Sequence, residues 1–179
     1  IKSDFVLNDT FLTLLLKSGQ DYNLKVLDLK KKTEIYFKGI KEYALNPNKN
    51  NFMIISDSNT IKVIWPSLGF KEKIITPESK FRYKNLIWDN SGTSAAFMQE
   101  LPVDDFPERN HSLYFVRNVE KSDDILFLNP QEKESIISGK RILDSPTLTD
   151  LEISPDGKRV IFTLGKSEKH IQEKNSVIV

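Results

Sequence analysis

Leu151-Glu152-Ile153-Ser154-Pro155-Asp156-Gly157-Lys158-Arg159-Val160-Ile161-Phe162 is the stretch on which the fold turns. A short strand carrying apolar residues enters a polar four-residue turn, two spacer residues follow, and a second strand begins. The turn has a mechanism: glycine accepts the positive φ that a tight hairpin demands, and proline arrives with its φ already set. The plan recurs upstream. Tyr43-Ala44-Leu45 runs through Asn46-Pro47-Asn48-Lys49 to Phe52-Met53-Ile54-Ile55, and Leu86-Ile87-Trp88 runs through Asp89-Asn90-Ser91-Gly92 to Ala95-Ala96-Phe97-Met98. A fainter copy, shortened at its turn, occupies residues 5–14.

The turn starts Asn8, Asn46, Asp89 and Ser154 lie 38, 43 and 65 residues apart. The first two intervals suit a four-stranded propeller blade of roughly 40 to 50 residues, and the third suits one blade carrying about 20 more. The extra residues are placed at 101–110 and 129–149, where long loops on a rigid scaffold would concentrate function. Apolar runs at 52–55, 61–65, 112–117 and 160–164 end in turn signals and read as strands. Residues 5–17 also read as strand, because Asn8-Asp9-Thr10 interrupts any helical period. Third and fourth strands follow each hairpin at 23–29 and 33–37, at 60–65 and 71–75, and at 111–116 and 124–128. The last copy stops one strand after its hairpin, at 176–179. The expected fold is all-β, about four propeller blades in units 1–38, 39–80, 81–146 and 147–179, the last truncated. Such an array is an incomplete propeller or a fragment of a larger one.

Composition narrows the function classes. In 179 residues, 26 Lys plus Arg stand against 25 Asp plus Glu, and this near balance removes the electrostatic case for a nucleic-acid partner. Apolar residues make up 39% and charged residues 28%, which puts much of the chain in turns and solvated faces. The absence of cysteine excludes disulfides, thiolate metal sites and a cysteine nucleophile, and leaves the compartment open. The longest apolar run near the start, residues 11–16, falls far short of the roughly 18 needed for a spanning helix, so no membrane span is expected. Ile1 in first place suggests an excised leader or a boundary ahead of it.

The run from Leu151 to Phe162 resembles the Ser-Pro-Asp-Gly-Lys repeat of TolB-like propellers and of the N-terminal propellers of prolyl-oligopeptidase-type serine peptidases. The copy at 86–98, with its insertion at 101–110 and the strand that follows, is similar to the peptidase version, whose blades carry irregular inserts. The motif is specific for the blade and covers most of the chain at blade level. The first two copies depart from it in lacking the turn glycine, and the α/β-hydrolase domain that defines the peptidase family is absent from these residues. The resemblance implies a hydrolase domain C-terminal to this chain, a peptide or protein as partner, and a periplasmic or otherwise extracytoplasmic location.

No catalytic, cofactor-binding or metal-binding residue is assigned. None of the seven glycines builds a Gly-x-Ser-x-Gly elbow. Gly92-Thr93-Ser94-Ala95-Ala96 matches half of one, and Ser94 reads as a strand-entry residue. His111 and His170 sit beside polar loop sequence and read as surface residues; two histidines without cysteine make a poor zinc site. Asp104-Asp105 and Asp123-Asp124 pair carboxylates as acid-base catalysis requires, but adjacent loop acids are usually only solvated. Trp65 and Trp88 read as core, and Lys30-Lys31-Lys32 as a soluble turn. The interaction candidate is the insert around Phe106, Glu108 and Arg109, an aromatic and an arginine on a projecting loop.

Three functions fit. The first is the noncatalytic propeller of a prolyl-oligopeptidase-like peptidase, restricting access to a hydrolase domain. The second is a TolB-like propeller acting alone as an interaction scaffold. The third is an enzyme whose site lies where inner strands converge, which requires polar residues there; with 52–55 and 160–162 read as innermost, those strands are apolar. A truncated array also leaves an apolar end face, from which self-association is expected.

Overall fold

The computed structural model describes residues 2–6, 10–19, 21–101, 110–121, 124–132, 140–143 and 151–166. Among the described residues strands form where the apolar runs predict them, and every pairing is antiparallel; the strand expected at 176–179 lies outside them. β1 (Lys2–Val6), β2 (Phe11–Ser18), β3 (Asp21–Asp28), β4 (Thr33–Leu45), β5 (Phe52–Ser56), β6 (Ile61–Trp65) and β7 (Lys71–Thr76) lie side by side in chain order as one seven-stranded sheet. β8 (Tyr83–Trp88), β9 (Ala95–Glu100), β10 (His111–Val116) and β11 (Ile125–Leu128) form a four-stranded meander. β12 (Lys140–Ile142) pairs with β15 (Leu164–Lys166), and β13 (Leu151–Ile153) with β14 (Val160–Phe162).

Two strand boundaries differ from the sequence reading. The strand expected at 33–37 continues to Leu45, so the 38/39 division falls inside β4. Residues 33–40 of β4 pair with β3, and residues 40–45 pair with β5. No cluster of turn formers breaks this stretch; Gly39 alone, at φ 62°, provides a bend, and the register shifts between Ile40 and Glu42. The run 160–164 is instead divided: Val160–Phe162 pairs with β13, whereas Leu164 begins β15.

Alternation along the central strands builds three cores. In β5, Phe52 and Ile54 join Phe11, Leu24, Val26 and Ile64, while Met53 and Ile55 face the other way, to Ile61, Val63, Trp65 and Phe97. In β9, Ala95 and Phe97 share that middle core, and Ala96 and Met98 meet Leu113, Phe115, Ile142 and Leu151. Each middle sheet is therefore covered on both faces. This double burial explains why 52–55 and 95–98 read as unbroken apolar runs instead of alternating. Phe162, in the half-paired last hairpin, is only partly buried at the rim of the third core.

Candidate functional site

β5 and β14, read as innermost from sequence, each follow an edge strand in chain order. The C-terminal half of β4, β8 and β13 are edge strands, each paired on one side only, and β8 lies against both of the others. They open with the buried Ile40, Tyr83 and Leu151, and Lys41 and Glu42, Lys84 and Asn85, and Glu152 follow, so polar residues stand one position in from each start. β5 packs behind its edge strand with both faces buried, whereas β14 pairs with β13 alone and exposes Ile161.

From Glu42 of β4 into the turn after it, every second residue meets β8 or the turn that follows β8. Glu42 accepts the backbone N–H of Asn85 at 2.9 Å and of Leu86 at 2.6 Å. The Ala44 carbonyl accepts Trp88 Nε1–H at 3.2 Å, and Asn46 Nδ2 donates to the Gly92 carbonyl at 2.7 Å. Asn48 Nδ2 donates to the Ser91 carbonyl. Side chains thus replace the ladder that two edge strands of separate sheets do not form.

The turns occupy corresponding positions and touch in sequence. Asn46 Oδ1 accepts the Asn48 N–H, Asp89 Oδ1 accepts those of Thr93 and Ser94 at 2.7 and 2.8 Å, and Ser154 Oγ accepts that of Arg159 at 3.0 Å. Gly92 and Gly157 both sit at positive φ, the first against the Asn46 side chain and the second against the Asp89 carboxylate. Ser94 Oγ adds a bond to the Gly157 carbonyl at 3.4 Å. Since Asp89 is buried and serves two backbone donors plus Ser91 Oγ, Asp89→Ala is expected to lower stability by roughly 2 to 4 kcal/mol, with Asp89→Asn intermediate. Equal urea midpoints for Asp89→Ala and the parent chain would contradict this.

The sequence-level candidates fall as follows. Phe106, Glu108 and Arg109 lie outside the described residues, as do Asp104, Asp105, Asp123 and His170. Asp124 stands 3.8 Å from Arg117, both more than half exposed, in keeping with a solvated acid. Ser94 is a buried strand-entry residue committed to the turn. Trp65 is buried in the middle core and Trp88 packs against it. Asp28 caps the lysine turn through the Lys30 and Lys31 amides, leaving the three lysines exposed.

His111 is a correction. It is buried at the start of β10, with Nδ1 3.1 Å from the Ile142 carbonyl. A carbonyl only accepts, so Nδ1 carries the proton and ties β10 to β12. Residue 112 onward is core strand, and the pairing of His111 with Glu100 draws it into the sheet despite its polar neighbours. Tyr114 is also held: its hydroxyl donates to Gln99 Oε1 at 2.9 Å, and Gln99 Nε2 donates to Ser79 Oγ at 3.0 Å. Burial, with Tyr83 alongside, pushes the phenol up to about 12, so it stays protonated at neutral pH. No group of three or more His, Asp or Glu among the described residues is arranged to hold a metal ion, and no helix among them is long and apolar enough to cross a membrane.

No family model matches the sequence, and no curated protein does. Solved structures do. The tricorn protease superposes with a TM-score of 0.57 at 11% identity, over 86% of this chain and 14% of that one. The hydrazine synthase of Kuenenia stuttgartiensis gives 0.52 at 12%, over 96% and 54%. The β-propeller domain of the Trilobed protease from Pyrococcus furiosus gives 0.51 at 11%, over 96% and 51%. The chain spans little more than half of these proteins' length at most. Stacked antiparallel meanders, edge strands in contact and turns in register, together with these likenesses, give the chain the fold of β-propeller blades, with no closed ring among the described residues.

Proposed function

We propose that this chain is the noncatalytic propeller segment of a prolyl-oligopeptidase-like serine peptidase, limiting peptide access to a hydrolase domain outside it. The observation that carries the reading is similarity over most of this chain to parts of two proteins named as proteases, combined with the Ser154-Pro155-Asp156-Gly157 blade turn. The hydrogen bonds of the inner edge hold backbone groups of the next blade, which suits a frame better than a reaction centre. Four units are proposed, with the first division carried inside β4. The extracytoplasmic location implied by the Ser-Pro-Asp-Gly resemblance is checked by cell fractionation. Native mass and fluorophosphonate labelling, read together on the antibody-detected protein in the source extract, test the function. A labelled species well above 20.6 kDa supports it. An unlabelled species transfers the assignment to the second reading, a TolB-like scaffold; the hydrazine synthase likeness favours it, since the same fold serves a protein not named as a peptidase.

The isolated chain is expected to self-associate. On the first unit, the face opposite the shared core carries Leu12 paired with Leu27, and Leu14 and Leu16 on the same side, all half-buried. Light scattering giving a monodisperse monomer would count against an uncovered end face.

A further inference from the structure

We propose that Glu42 is a proton-operated latch between the second and third blades: ionised, it holds both amides of the Asn85–Leu86 bulge, and protonated, it lets one go. The geometry begins with the bend at Gly39. The register shift after Ile40 passes over Lys41 and sets Glu42 opposite Ile55, and the Glu42 carboxylate meets β8. There β8 is itself distorted. Asn85 stands at φ 57°, and pairing with β9 jumps from Lys84↔Met98 to Ile87↔Ala96, so Asn85 and Leu86 have no opposite number in the ladder. Their N–H groups go instead to Glu42, one to each oxygen.

That division makes the arrangement sensitive to a proton. A carboxylate offers two strong acceptors to two donors, whereas a carboxylic acid keeps one carbonyl oxygen and turns its other oxygen into an O–H donor. With one amide on each oxygen, the amide facing the protonated oxygen loses its strong acceptor. The surroundings bear on where the proton binds. Burial opposes the charge most and raises the pKa from 4.5, while the Leu86 and Asn85 amides and then Arg82 and Lys84 favour the charged form. Lys84 is shared with Glu100 at 3.6 Å. On its own strand, Lys41 is engaged by the Asp57 carbonyl and Asn59 Oδ1. Opposite Glu42 on β5 stands Ile55; Asp57, beyond it, lies beside Gly39 and accepts the Ser58 N–H. Glu152 of β13 is exposed.

The test follows the Asn85 and Leu86 amides by nuclear magnetic resonance in the full chain from pH 4 to 8. Both are expected to shift together, with one midpoint above 4.5, and protection of one of them from hydrogen exchange should fall roughly tenfold below that midpoint after correction for intrinsic rate. In Glu42→Gln the shared transition should vanish. Should that variant not fold, the carboxyl carbon of Glu42 in the unaltered protein provides the same reading, since its midpoint must coincide with that of the two amides. Flat amides, a midpoint at or below 4.5, or a transition that survives in Glu42→Gln would each overturn the proposal.

Discussion

Replacing Phe97 with alanine is expected to remove roughly 3 to 5 kcal/mol of stability, a large share of what a domain of this size holds. Phe97 is fully buried in the middle core. Its ring stacks on Tyr114 at 5.0 Å and meets Tyr83 edge-on at 5.7 Å within its own sheet, and Met53, Ile55 and Val63 of the neighbouring sheet share its core, so truncation opens a cavity walled by two sheets. β9 and β5 are both held in place by neighbours on two faces, which limits how far the walls can collapse into the void. Phe127 provides the contrast. It also contacts Tyr114, at 4.7 Å, but it lies on the edge strand β11 and is 46% exposed. Phe127→Ala should cost about 1 kcal/mol or less. Denaturant melts of the two variants would separate them, and equal losses would mean that the middle core is not the stabilising seam.

Gly92→Ala should cost roughly 2 to 4 kcal/mol for two separable reasons. At φ 69° any side chain is strained, and a Cβ there would overlap the Asn46 amide, whose Cγ lies only 2.7 Å away. Asn46 has no room to yield, because it is buried and bonded both to the Asn48 N–H and to the Gly92 carbonyl. Gly69 isolates the first reason: its φ is 68°, and nothing lies within 4 Å of a Cβ built there. Gly69→Ala should therefore lose only the strain, about 1 to 2 kcal/mol. If Gly92→Ala cost no more than Gly69→Ala, the contact between successive turns would contribute nothing.

Glu42 adds a dependence on pH whose sign follows from its surroundings. Burial raises its folded-state pKa above the ordinary 4.5, so between those two values the folded protein binds more protons than the unfolded chain. Stability from this group is complete below 4.5 and declines as pH rises through the folded value. Glu42→Gln should flatten that part of the profile in urea melts taken at successive pH values. A profile unchanged by the substitution would exclude Glu42 as its source. The proton that relieves the buried charge also removes one hydrogen bond of the latch, so global stability and local protection of the bulge move in opposite directions.

Local chemistry was enough to reveal the strands, the repeated hairpin and the propeller class. Turn residues act within four or five positions of themselves: Asp89 caps Thr93 and Ser94, Ser154 caps Arg159, and Gly157 adopts the positive φ that its turn requires. Double burial was likewise legible, since a strand covered on both faces must read as an apolar run. Which strands line the inner edge was decided only by the tertiary structure. That choice depends on how whole sheets stack and on β4 pairing with both β3 and β5, and a continuous strand leaves no turn cluster at the 38/39 division. His111 and Glu42 escaped for the same reason. Each is a polar residue whose partners, Ile142 in one case and Asn85 with Leu86 in the other, lie 31 to 44 residues away. Hydrogen bonds satisfied at such separation have no counterpart in local composition; they exist only once the blades have stacked.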